Sequence, residues 1–133
     1  MASDKLTGYP VLKFDVPTKR YVRTLTLRND PELIAAYRLR HSKGQIWPEI
    51  IEGLRAVGVL EMEIYIHGNL LVMIVEAPAD VDWEEAMSRV ACMPRQQEWE
   101  DFMAVFQQAA PGVSGGEKWT GMERMFHFWD DND

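Results

Sequence analysis

The sequence predicts an α+β domain in which helices cover one face of an antiparallel sheet. Three observations carry that expectation. "VLEMEIYIHGNLLVMIVEA" reads as a β-hairpin, two helical segments lie on each side of it, and a strand-like stretch stands at either end. Strand, helix pair, hairpin, helix pair, strand is the ferredoxin-like βαββαβ order.

Residues 1–17 hold Gly8, Pro10 and Pro17 without a sustained period and read as an N-terminal extension, leaving 18–133 as a single domain. "RYVRTLTLR", Arg20 to Arg28, is rich in β-branched and aromatic residues and predicts the first strand. Asn29 and Asp30 then look like a cap ahead of Pro31, which suits a first helical position. Leu33, Ile34 and Tyr37 repeat at helical spacing, so a helix runs to about Arg40. Ser42 to Gln45 interrupts it, with Gly44 as the breaker. A second helix restarts near Trp47–Pro48 on a stripe of Ile50, Ile51 and Leu54, and Gly58 stops it.

Within 59–67, Leu60, Met62, Ile64 and Ile66 alternate with Glu61, Glu63, Tyr65 and His67, and Gly68-Asn69 is a two-residue turn. The return strand, Leu70 to Val75, is apolar at every position, which predicts cover on both faces. "DVDWEEAMSRVA" predicts a short helix. Arg95 to Gln108 predicts a longer one, with Trp99, Phe102, Met103 and Phe106 at i, i+3, i+4 and i+7. "PGVSGG" (111–116) reads as a loop, 120–129 as a last strand, and "DDND" as an acidic tail. Helices on one sheet face leave the other bare, carrying either Val72, Ile74 and their neighbours or the alternate residues. A bare apolar face calls for a partner, so the expected assembly is a face-to-face homodimer, a dimeric α/β barrel.

The chain has 133 residues, enough for one core, with 47% hydrophobic and 26% charged residues and a net charge of −7. An acidic chain does not supply the distributed phosphate contacts of a general nucleic-acid binder. The longest apolar run, Leu70 to Val75, is too short to cross a bilayer, and no lysine run suggests a membrane surface. The opening residues carry no charged-then-apolar targeting pattern, and the single cysteine, Cys92, fits a reducing compartment. The expected location is the cytoplasm.

Among residues able to carry chemistry, His41 leads. An imidazole takes and returns a proton near neutral pH, and Tyr37 lies one helical turn before it on the same face. A helix-terminal histidine that bonds a carbonyl would explain the same spacing. Arg40 is adjacent in sequence but points elsewhere on an ideal helix. His67 precedes a tight turn and reads as exposed; His127, between Phe126 and Phe128, would face a cavity or an interface. Three histidines without short-range ligand spacing do not predict a metal site. Glu61 and Glu63, about 7 Å apart on one strand face, read as an exposed polar face more readily than as a carboxylate pair of the glycosidase kind. Trp99 belongs to an apolar stripe, though an indole is also a surface for a sugar's C–H face. Cys92 reads as a small buried residue.

Taken together, "YRLRH…IWPEI", "GVLEMEIYIHGNLLVMIVE", "PRQQEWEDFM" and "MERMFHF" resemble the L-rhamnose mutarotase family from about Arg20 to Phe128. The specific part is Tyr-x-x-Arg-His, then Ile-Trp-Pro-Glu, then the Gly-led strand with its Gly-Asn turn. The resemblance implies a ferredoxin-like homodimer that interconverts the α and β anomers of a 6-deoxyhexose such as L-rhamnose, without metal or cofactor. By it, the catalytic histidine falls on His41, a sugar-contacting tyrosine on Tyr37 and the first of a tryptophan pair on Trp99. Three departures stand out. The second tryptophan is Glu100, a sugar-contacting tyrosine is Met62, and the loop from His41 to Trp47 is longer.

Mutarotation takes a proton from the anomeric hydroxyl and delivers one to the ring oxygen, then reverses both after rotation about C1–C2. Positioned acid–base catalysis supplies roughly 10²- to 10⁴-fold for such transfers. The expected roles are His41 as proton carrier, Tyr37 as hydroxyl orienter or second acid/base, Trp99 as stacking surface, and Arg40 as a sugar contact or a brace for the helix end. Two other readings share the fold: a non-catalytic dimeric sugar-binding or regulatory module, and a small monooxygenase or haem-degrading enzyme.

Overall fold

A computed structural model describes residues 8–108 and 118–129. Its elements are β1 (Thr18–Thr26), α1 (Pro31–Arg40), α2 (Pro48–Ala56), β2 (Glu61–His67), β3 (Leu70–Pro78), α3 (Trp83–Ala91), α4 (Gln96–Ala104) and β4 (Thr120–Gly121). The sheet runs β2-β3-β1-β4 with every pair antiparallel. This is the ferredoxin-like order expected from the sequence.

Local chemistry sets the boundaries of α1. Asp30 accepts from the backbone N–H groups of Glu32 (2.9 Å) and Leu33 (3.3 Å), and Pro31 follows with the backbone angle a helix needs. The helix ends at His41. Ser42 turns its hydroxyl back onto the Leu39 carbonyl at 2.6 Å, and Gly44 takes φ +87° to redirect the chain toward α2. Gly68 makes the hairpin turn at φ +62°.

Pleating divides the sheet into two faces. Leu25 of β1, with Leu71, Met73, Val75 and Ala77 of β3, points under the helices and is buried. The helix-side core continues through Leu27, Tyr37, Ile50, Trp99, Met103 and Phe106. A smaller cluster joins Val57 to Ala86 and Val90, tying α2 to α3. Beyond α4 the chain returns to β1: Leu27 bridges Gln107, and the Arg28 N–H donates to the Phe106 carbonyl at 2.9 Å. That return places Gln107 beneath α1, beside Tyr37.

Four local expectations need correction. The return strand is covered on one face, not two: Leu70 is exposed and Val72 and Ile74 are half-buried on the side away from the helices. The last strand pairs with β1 only through Thr120 and Gly121, with one further hydrogen bond from the Met122 N–H to Val22. Met125, Phe126, Phe128 and Trp129 are exposed, so among the described residues their alternation meets no apolar surface to hold them in register. Cys92 is exposed, because it caps the end of α3 rather than lying on its buried stripe. The helix expected to reach Gln108 ends at Ala104. The predicted loop 111–116 and the acidic tail lie outside the described residues.

Candidate functional site

A cavity of about 390 Å³ lies between the helix-side sheet face and the helices above it. That size falls in the range of small-molecule sites. β2 and β3 supply an apolar floor through Met62, Ile64, Met73 and Val75; α1 and its end bring Tyr37 and His41; α4 contributes Gln96, Trp99, Glu100 and Met103.

His41 is held by the break in the helix that carries it. Its Nδ1 lies 2.9 Å from the Tyr37 carbonyl oxygen, four residues back. A carbonyl only accepts, so Nδ1 carries the hydrogen and Nε2 is left with a free lone pair. Burial pushes the imidazole pKa below its ordinary value, and the carbonyl hydrogen bond opposes part of that shift. The ring is therefore neutral near pH 7, the form that accepts a proton. The helix-terminal hydrogen bond and the proton-accepting role are the two ends of one imidazole rather than rival accounts of it.

Tyr37 is buried, its ring centroid 4.3 Å from that of His41. Burial pushes its phenol up to about 12; a hydrogen bond with Gln107 lowers it, and the Glu100 carboxylate adds a small upward push. Tyr37 thus keeps its proton at any physiological pH and acts as a hydrogen-bond donor. Trp99 packs edge-on against His41 at 5.5 Å and against Trp47 at 5.1 Å. Arg95 braces this aromatic wall from outside. It stands at φ +64°, forks onto Glu98 at 3.1–3.2 Å and lies 4.0 Å above the Trp47 ring.

Of the residues singled out from the sequence, the fold brings His41, Tyr37, Trp99 and Met62 together around the cavity. Arg40 lies elsewhere. It is exposed, with its guanidinium 5.4 Å over Phe102, and does not line the cavity. His67 is exposed at the end of β2, and His127 sits on the segment after β4, away from the cavity. Glu61 and Glu63 lie on the open sheet face, where Glu63 accepts from the Tyr65 hydroxyl at 3.2 Å. Among the described residues, no three His, Cys, Asp or Glu side chains converge as a metal site requires. No described helix is long and apolar enough to cross a membrane.

Reading the sequence missed Gln96 and Gln107, both buried and both lining the cavity. Gln96 had one available signal: it stands three residues before Trp99, on the same face of α4. Gln107 had none, because its place depends on the return of the chain to β1.

The model of the L-rhamnose mutarotase family matches residues 20–128. The chain belongs to the L-rhamnose mutarotase family. Its relatives include the L-fucose mutarotase of Xanthomonas campestris, 39% identical over 108 residues that make up 81% of this chain and 86% of the relative. A UPF0734 protein of Dictyostelium discoideum is 33% identical over 112 residues, covering 81% of this chain and 88% of its own. The crystal structure of an L-rhamnose mutarotase from Formosa agariphila superposes with a TM-score of 0.59 at 26% identity, covering 84% of this chain and 99% of that one. Membership makes the protein an isomerase of the sugar mutarotase type.

Proposed function

We propose that the protein interconverts the α and β anomers of a 6-deoxyhexose of the L-rhamnose or L-fucose kind, with His41 as the proton carrier. One observation carries the reading. A neutral imidazole, its Nδ1–H pinned to the Tyr37 carbonyl, sits at a cavity of sugar size between a phenol and an indole. Nε2 removes the proton of the anomeric hydroxyl as the C1–O5 bond breaks and passes it to the ring oxygen, and closure on the other face reverses both transfers. Tyr37 donates its hydrogen bond to a sugar oxygen, Trp99 offers its indole to the C–H face, and Met62 closes the floor. Arg40 steadies the end of α1 on Phe102. None of these steps calls for a redox group.

The names of the family and of the Xanthomonas relative support a 6-deoxy sugar as substrate. The assembly in this reading is a homodimer. The open sheet face carries half-buried Val22, Val72 and Ile74, and exposed Met125, Phe126, Phe128 and Trp129 add a second apolar surface. A second copy covers both at once. A cytoplasmic location accords with a lone, exposed, unpaired Cys92.

Saturation-difference NMR at anomeric equilibrium tests the activity on L-rhamnose and L-fucose, with wild type and His41→Ala. Wild type accelerates anomer exchange and the variant falls to the background rate. Absence of acceleration across 6-deoxy- and ordinary hexoses refutes the enzyme, and equal rates in the variant remove His41 from its role. Sedimentation of wild type as a monomer refutes the dimer.

A further inference from the structure

One wall of the cavity is polar in a way the proton transfer leaves unused. The Gln96 Nε2 donates to the Glu100 carboxylate at 2.7 Å, and Lys118 donates to the Glu100 carbonyl at 2.7 Å with its ammonium 3.7 Å from the carboxylate. Gln96 is 7% exposed, and the Lys118 side chain 2%. An ammonium and a carboxylate held this deep need each other and their hydrogen bonds to offset the loss of water. The same contacts fix the amide of Gln96. Its NH₂ must face the carboxylate, because the opposite flip would set two acceptors against each other.

That orientation has a consequence at the other end of the amide. The Gln96 Oε1 is buried without a hydrogen-bond partner, on a residue that lines the cavity. A buried acceptor left unpaired is costly, and such a group is satisfied by a donor that arrives from outside. A carboxylate has four acceptor positions, so Glu100 retains capacity beside it after bonding Gln96 and Lys118. Two neighbouring acceptors on one wall suit two neighbouring donors. On an aldose these are adjacent hydroxyls; a methyl group turned to this wall would leave Gln96 unpaired.

We propose that Gln96, clamped by Glu100 and Lys118, reads one hydroxyl of the bound sugar while the Glu100 carboxylate beside it reads the adjacent one, and that the pair thereby selects which aldose the site accepts. The assignment rests on the sugar-mutarotase reading for its ligand class and adds the face the ligand presents. The methyl of a 6-deoxyhexose then lies away from α4, toward the apolar floor of Met62 and Ile64.

The test measures affinities, which do not require turnover, by ligand-observed NMR titration. The ligands are the 6-deoxyhexose that wild type binds best and its 2-, 3- and 4-deoxy analogues. Wild type binds the analogue lacking the hydroxyl at Gln96 about 10- to 100-fold more weakly than the parent sugar. In Gln96→Met, of similar length but without the amide, that one penalty shrinks below about threefold while the others persist. Glu100→Gln, which keeps the side-chain shape, serves if the first variant does not fold, and it lowers the same penalty by loosening the clamp. A merely structural Gln96 would shift stability and leave the pattern of penalties intact.

An unchanged pattern in both variants overturns the proposal, as does wild type that treats all three analogues alike or binds no 6-deoxyhexose. Binding with the stated discrimination but without accelerated anomer exchange supports the proposal while refuting the mutarotase reading, so the two failures are separable.

Discussion

The pH dependence of anomer exchange tests the proton-transfer geometry most sharply. Burial lowers the His41 pKa from 6.5, and Tyr37 is pushed up from 10.0 to about 12. With neutral His41 as base and Tyr37 as an un-ionised donor, kcat/KM rises with pH, inflects below 6.5 and then stays level. At pH 9 a tyrosine of ordinary pKa is about one-tenth ionised, whereas Tyr37 is ionised in about one molecule in a thousand. The plateau therefore extends past the point at which an exposed phenol would begin to titrate. The assay is saturation transfer between the anomer resonances across the pH range, with the buffer rate subtracted at each point and His41→Gln as the control. The control loses about 10²- to 10⁴-fold. An inflection at or above 6.5, or a fall in rate between about pH 8 and pH 10, refutes the assignment. Stability follows the same groups. His41 has a lowered folded pKa, so its contribution is complete above 6.5 and is lost as pH falls through the folded value. Tyr37 has a raised one, so stability is complete below about 10 and declines by roughly 3 kcal/mol as pH climbs through about 12.

Three further outcomes are expected. Trp99→Ala opens a cavity in the buried aromatic wall and costs about 3–5 kcal/mol in urea unfolding; a loss below about 1 kcal/mol would show that the wall is loosely packed. Asp30→Ala leaves the Glu32 and Leu33 N–H groups uncapped and costs about 1 kcal/mol by the same measurement. Gly58→Ala combines φ +107° with a Cβ placed 3.2 Å from Val81 Cγ2, and lowers stability by more than about 1 kcal/mol with the site intact. Its melting temperature falls, and the affinity for sugar of the folded fraction does not.

The pairing of His41 with Tyr37 and the two helix starts were legible because they depend on neighbours within one turn. Asp30 and Pro31 cap α1 through contacts two and three residues away, and Tyr37 reaches His41 at i, i+4. The alternation in β2 set its helix-side face for the same reason, since pleating has a period of two. The uniform apolar run of β3 carried no such phase, and the buried Leu71, Met73 and Val75 could be told from half-buried Val72 and Ile74 only once helices lay on one side. β4 shows the opposite failure. Its alternating apolar residues read as a strand, yet a strand is completed by what packs on it, and among the described residues little covers the segment past Met122.

By itself the sequence determined what short-range forces settle: the helix caps, the hairpin turn, the element order, and a histidine at the end of a helix with a tyrosine behind it. Only the tertiary structure decided what sits across the cavity from that histidine. It brought Trp99 to the imidazole, left Arg40 outside on Phe102, and left the amide oxygen of cavity-lining Gln96 buried without a partner, with Lys118 beside Glu100. Burial is a property of the assembled chain, and it is burial that lowers one pKa, raises another and leaves an acceptor waiting for a donor.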